Sequence, residues 1–163
     1  MIGDGSGDPT FAALSGDVTM DNTGDVTIAG TSVEGSMLAN SAKLQTFRFE
    51  VGDRSTELTT GDDKLTFTFP STFTLTDIFM TVETAPTDAI LIVDVEDTDA
   101  SSIFTTNLLT IDSTEVTSKT AATARSLTDT SVTAGADWHV NIDQIGSTFG
   151  GAGITIYVIG YET

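Results

Sequence analysis

The chain has no cysteine and a single histidine in 163 residues. The first absence excludes a disulfide framework and a thiolate metal site, and the second obliges any histidine-dependent nucleophile or zinc site to rest on His139 alone. Cations are scarce as well: 6 lysines and arginines stand against 24 aspartates and glutamates, a formal charge of -18. Nucleic acid and anionic membranes would be repelled at low salt, which argues against both as partners. The plainer role of such a surface is to keep a crowded or repetitive assembly soluble. No apolar run approaches the roughly 18 residues of a membrane span, and nothing near the start couples a basic stretch to an apolar one as an export signal does. The chain is therefore expected to be made soluble, with no membrane insertion and no cleaved signal.

What is abundant is threonine, roughly a fifth of the residues. β-branched side chains lose rotamer freedom against a helical turn and pack well on a pleated surface, so the bias favours strands. The stretch Ala85 to Asp112 carries this pattern most plainly. A turn, Ala85-Pro86-Thr87-Asp88, leads into Ala89-Ile90-Leu91-Ile92-Val93-Asp94-Val95, the most apolar run in the chain. Seven residues are too few for a core helix, and the β-branched content predicts a central strand buried on both faces. After the acidic loop Glu96 to Ala100, a strand pattern resumes through Ile103, Leu108, Leu109 and Ile111.

Residues Met1 to Leu14 are rich in glycine and poor in apolar surface, and read as a flexible arm with an apolar end at Phe11 and Leu14. Asp4, Ser6 and Asp8 imitate the opening of a calcium loop, but Ser15 stands where the bidentate glutamate belongs. A repeat follows: Gly16-Asp17-Val18-Thr19-Met20 returns as Gly24-Asp25-Val26-Thr27-Ile28. Each unit is a short strand, and the two form either an intramolecular hairpin or part of a stem intertwined with other subunits. Met37, Leu38, Ser41 and Leu44 could share one face of a short helix that Gly35 and Asn40 weaken.

From Phe47 the period is two. Phe47, Phe49 and Val51 alternate with polar residues, Gly61-Asp62-Asp63 reads as a turn, and Leu65, Phe67 and Phe69 alternate up to Pro70. Phe73, Leu75, Ile78, Met80 and Val82 follow, with a slip near Asp77-Ile78-Phe79 that signals a bulge. The Thr/Ser/Ala-rich region Ser113 to Ala136 has only Val116, Leu127 and Val132 as anchors and reads as an exposed hairpin or a long crossing loop. Trp138, Val140 and Ile142 alternate with His139, Asn141 and Asp143, and Ile154, Ile156 and Val158 close the pattern. About eight strands at roughly ten-residue spacing predict an all-β, two-sheet sandwich of jelly-roll type over residues 46–163. It is preceded by an arm and stem over residues 1–45 with a short helical connector.

Catalysis finds little support. His139 falls on the polar phase of its strand, facing solvent. Asp94, Glu96, Asp97 and Asp99 are the densest acids and could hold a divalent cation, or simply form a solvated strand end. The run Gly150 to Gly153 has no following lysine or helix and reads as a turn, not a phosphate loop. Neither an enzyme nor a cofactor is expected.

The segment Ala13 to Leu44, with Leu14-Ser15-Gly16-Asp17-Val18-Thr19-Met20, Gly24-Asp25-Val26-Thr27-Ile28 and Ser36-Met37-Leu38-Ala39-Asn40-Ser41-Ala42-Lys43-Leu44, resembles the repeats with which fibre proteins of tailed bacteriophages begin. The segment Thr56 to Tyr161 is similar to a β-rich domain found at fibre ends, through Leu58-Thr59-Thr60-Gly61, Thr84-Ala85-Pro86-Thr87, Ile92-Val93-Asp94, Leu109-Thr110-Ile111-Asp112, Lys119-Thr120-Ala121-Ala122 and Asp143-Gln144-Ile145-Gly146. The resemblance is to virion surface proteins, particularly small fibre and decoration proteins of marine and cyanobacterial phages. It implies a homotrimer at the virion surface, assembled in the host cytoplasm, with the N-terminal part on the particle and the β-domain outward.

The chain differs from long tail fibres in showing no tail-binding domain before the repeat, which favours a head position. Phe11, Leu14, Val18 and Met20 are then the expected capsid contacts, with the major capsid protein or another virion protein as partner. Val26, Ile28, Met37 and Leu38 are the expected trimer stem. The alternative is a receptor-binding tip that recognises a host surface glycan near Asp97, for which Trp138, Tyr157 and Tyr161 are the aromatic candidates. A polysaccharide-cleaving tailspike would need a longer chain to build its cleft.

Overall fold

A computed structural model describes residues 2–3, 9–10, 18–20, 23–30, 33 and 35–163. The chain divides into two compact units, Met1–Lys43 and Leu44–Thr163.

In the first unit, β1 (Ile2–Gly3) pairs antiparallel with β2 (Pro9–Thr10). The repeat folds as a hairpin within one chain. β3 (Val18–Met20) pairs with β4 (Val26–Ile28), Val18 opposite Ile28 and Met20 opposite Val26. Gly24 takes φ 92° in the connection, a left-handed backbone that glycine adopts without steric cost. The connector is helical only as two 3-10 turns, Gly35–Met37 and Asn40–Ala42, so the expected shared face of Met37, Leu38, Ser41 and Leu44 does not form. Leu44 instead opens the first strand of the second unit. Gly35 and Asn40 weaken helix, and no residue of the second turn is buried to compensate.

The second unit is a sandwich of two four-stranded sheets, ordered β10-β7-β12-β5 and β6-β11-β8-β9. The strands are β5 (Leu44–Val51), β6 (Gly61–Thr68), β7 (Phe73–Thr84), β8 (Leu91–Glu96), β9 (Leu109–Ile111), β10 (Ser131–Val132), β11 (Asp137–Gln144) and β12 (Ala152–Glu162). All ladders are antiparallel. Counted from β5, one sheet runs first, eighth, third, sixth and the other second, seventh, fourth, fifth, which is the connectivity of a jelly roll.

Alternation supplies the core. Ile78, Met80, Ile154, Ile156 and Val158 project inward from one sheet, and Leu91, Val93, Ile111, Trp138 and Val140 from the other, all at most 1% exposed. Trp138 packs on Phe67 and Phe69, and Phe47, Phe49 and Phe73 extend the aromatic cluster between the sheets.

Three local expectations change. β8 is interior to its sheet, but only Leu91, Val93 and Val95 are buried, while Ile92, Asp94 and Glu96 lie half-covered on the outer face. An antiparallel sandwich covers one face of each sheet, not both. Gly61-Asp62-Asp63 belongs to β6, where Gly61 and Asp63 take positive φ beside the irregular pairing with β11. The bulge in β7 falls at Thr76, because Ile159 pairs with Asp77 and Gly160 with Leu75. The region Ser113 to Ala136 is a crossing segment. Val116 and Ser118 accept and donate main-chain bonds along β7 before the chain reaches β10, so the free edge of β7 is covered.

Candidate functional site

Phe11 and Leu14 lie outside the described residues, as does the calcium-like stretch Asp4, Ser6, Asp8 and Ser15. Four of the other expected contact residues, Val18, Met20, Val26 and Ile28, form one surface. In an antiparallel hairpin, directly opposed side chains share a face, so the register puts Val18, Ile28, Met20 and Val26 together and Thr19 and Thr27 on the reverse. Val18 and Met20, expected at the capsid, are therefore neighbours of Val26 and Ile28, expected in the stem. All four are exposed, at 37%, 43%, 59% and 56% for Val18, Met20, Val26 and Ile28. Met37 at 65% and Leu38 at 43% are exposed as well.

In the sandwich unit, a cleft of about 390 Å³ opens between the loop after β8 and the chain around β10, lined by Asp97, Asp99, Asp129, Ser131, Thr133 and Trp138 among others. It brings Asp97 and Trp138 together, although they lie on different segments. Trp138 is only 1% exposed, with Phe69 5.0 Å away in an edge contact, so its ring is core, not a free stacking platform. Tyr157 lies on the opposite sheet, stacked on Phe79 at 4.6 Å, and Tyr161 also belongs to that sheet. The three aromatics do not share a site.

The acid cluster is split by the β8 strand end. Asp97 turns back on its own loop, its Oδ1 accepting the amides of Asp99 at 2.9 Å and Ser101 at 3.1 Å. Asp94 and Glu96 lie on the outer face of β8, where Asp94 Oδ1 accepts from Ser102 Oγ at 2.6 Å. Burial pushes the Asp94 carboxyl up from its ordinary range, helped by Asp143 and Glu96. Asp143 is raised too, by burial and then by Asp62 and Glu96. Among the described residues, no three His, Cys, Asp or Glu side chains are arranged to hold a metal.

His139 is on the outer face as expected, its Nδ1 2.7 Å from Asp63 Oδ1 and 3.3 Å from Thr66 Oγ1. No serine or threonine there is activated by a histidine that a third group orients, and the carboxylate it meets is exposed. Gly150 and Gly151 form the turn before β12, with Gly150 N–H donating to Glu57 Oε1 at 2.6 Å and Leu58 N–H to the Gly151 carbonyl at 2.9 Å. Comparison of the chain with protein-family models, with curated protein sequences and with solved structures finds no match.

Proposed function

We propose that this chain is a structural virion protein of a tailed phage, a homotrimeric capsid decoration or head fibre protein held to the particle through its N-terminal unit. The observation that carries the reading is the uncovered face of Val18, Met20, Val26 and Ile28 on a two-stranded hairpin. A lone two-stranded hairpin is marginal in water, and burying the rest of these four side chains would contribute about 1 kcal/mol each. Three copies about an axis give that burial, and the resemblance of the repeat to fibre stems supplies the virion context. Three arms on one particle then combine weak contacts through effective concentration. The acidic sandwich, turned outward, keeps a crowded shell soluble.

The test is light scattering of the full-length chain beside the double variant Val26→Asp/Ile28→Asp, with particle binding of a chain lacking residues 1–31 as the second arm. The reading expects a trimer that the double variant dissolves, and loss of particle binding on truncation. A wild-type monomer at micromolar concentration, or truncated chains that still decorate particles, would overturn it.

The cleft at Asp97 favours a second reading, a receptor-binding tip in which rim carboxylates and hydroxyls take up the hydroxyl groups of a host glycan. Glycan-array binding that Asp97→Ala and Asp129→Ala abolish would replace the first reading with this one.

A further inference from the structure

The five lysines and arginines of Leu44–Thr163 are not spread over the sandwich. Arg48, on the outward phase of β5, meets Glu50 at 2.6 Å. Arg54 reaches Glu50 at 3.3 Å and Glu83 at 3.8 Å. Asp77, on the outward phase of β7, is gripped by Arg125 and has Lys119 at 4.0 Å, both reaching over from the crossing segment. All of this lies on the outer face of the β10-β7-β12-β5 sheet, where four cations meet the three carboxylates Glu50, Asp77 and Glu83. The unit's fifteen other carboxylates, Glu162 at the end of β12 and Glu115 on the crossing segment among them, are accompanied only by Lys64 and His139.

The centre of the same face is apolar. Phe79 and Tyr157 stack at 4.6 Å, 8° from parallel, with Lys119 Nζ 4.0 Å from the Phe79 centroid. Ile159 and Tyr161 continue along β12, and Leu44, opposite Tyr161 in register, is 49% exposed.

We infer that this face is where the sandwich units of neighbouring copies of the chain meet. Two molecules of charge -18 repel through any surface on which carboxylates face each other. Here the acids are already matched, so approach costs little electrostatically, and the aromatic centre supplies apolar area of the kind found at interface cores. A nucleic acid or an anionic surface would gain nothing, because the face is balanced and not basic. Exposed ion pairs contribute little attraction of their own. The arginines and lysines act here by cancelling charge. The inference rests on the proposed function only in its premise that the chain self-associates, and it places a contact on the sandwich in addition to the hairpin.

The test compares two equal charge reversals in the full-length chain, Arg48→Glu on the face and Lys64→Glu off it, by sedimentation over a dilution series. Arg48 is 48% exposed, so its replacement leaves the fold intact. Arg48→Glu should weaken self-association at least tenfold, with added salt restoring part of the loss, while Lys64→Glu stays close to wild type. Because the chain lacks cysteine, Ile159→Cys should also be joined subunit to subunit by a long, flexible bis-maleimide linker, and Thr66→Cys, on the opposite sheet, should not. Equal behaviour of the two reversals, or no crosslink through Ile159→Cys, overturns the inference. If Val26→Asp/Ile28→Asp is monomeric while Arg48→Glu assembles normally, the face contact falls and the stem stands. If the reverse is seen, the stem falls and the face contact stands. A wild-type monomer at all concentrations overturns both.

Discussion

Phe49 and Phe67 lie face to face, their ring centroids 3.8 Å apart and their planes 18° from parallel, with one ring contributed by each sheet. β5 and β6 are the edge strands on one side of the sandwich, so this pair closes the core where the ladder hydrogen bonds end. Phe67 is 7% exposed and also meets Phe69 and Trp138. Phe67→Ala should therefore cost about 3 to 5 kcal/mol in equilibrium denaturation. Phe49 is only partly buried, and Phe49→Ala should cost about 2 kcal/mol. Equal losses at both sites would mean that Phe49 is packed as tightly as Phe67 despite its greater exposure.

A second prediction concerns backbone space. Gly160 sits on the inward phase of β12 beside the bulge of β7, and a Cβ there would overlap the Thr74 carbonyl oxygen and the Phe73 ring. Both obstacles are held, one by the strand backbone and the other by a ring that is 1% exposed. Gly160→Ala should cost about 2 to 3 kcal/mol by forced overpacking, read as a lowered denaturation midpoint. Gly30, with nothing within 4 Å, is the control, and Gly30→Ala should leave the midpoint unchanged.

The alternation of Phe47 to Val51, Leu65 to Phe69, Trp138 to Ile142 and Ile154 to Val158 made the sandwich readable from sequence, since a period of two with one apolar phase has few other solutions. Its order of strands was less accessible, because every crossover is long-range and threonine-rich segments such as Ser113 to Ala136 carry no pairing signal. The repeat marked two short strands but left a hairpin and an intertwined stem open, and both the hairpin and the common face of Val18, Met20, Val26 and Ile28 needed the register. The charge-balanced face was hidden. Asp77, Lys119 and Arg125 are scattered over 49 residues and meet only because the crossing segment runs beside β7, and Arg48 joins their face only through the pairing of β5 with β12. Alternation marks which side of a strand faces outward, not which outward sides share a sheet.

A third prediction follows from Asp94 and Asp53, which respond oppositely to acid. Burial raises the Asp94 carboxyl in the folded state, so the folded chain binds a proton more readily than the unfolded chain there. Its contribution to stability thus falls as pH rises through the ordinary value of 3.8 and the raised one. Asp94→Asn, which keeps an acceptor for Ser102, should stabilise the chain at neutral pH and lose that advantage below the ordinary carboxylate range. At Asp53 the side chain and amide of Thr56 and the amide of Ser55 hold the carboxyl below its usual range. That stabilisation is present above the ordinary value and is lost as pH falls through the depressed one. Asp53→Ala should therefore destabilise at neutral pH and less in acid. Chemical denaturation at pH 7 and pH 3 separates the two signs.

The last prediction turns on Asn141, which is 6% exposed although it lies on the outward phase of β11. Its Oδ1 accepts the Asp63 amide at 2.8 Å, across the irregular step between β11 and β6, and Asp94 is its register partner on β8. A neutral amide is what this place requires: it satisfies a main-chain donor without adding charge beside Asp94 and Asp143. Asn141→Asp keeps the shape and the acceptor but adds a buried carboxylate among carboxylates, at a cost of about 2 kcal/mol at neutral pH. Burial and its neighbours would raise that carboxyl in the folded state, so the cost should fade as pH drops toward the ordinary carboxylate range. Asn141→Leu removes the acceptor and leaves the Asp63 amide unpaired, a loss of about 1 to 3 kcal/mol that should be the same at pH 7 and pH 4. A pH-independent loss in Asn141→Asp would mean that shape and hydrogen bonding alone hold this position, and that the acids on the outer face of β8 and β11 do not reach it.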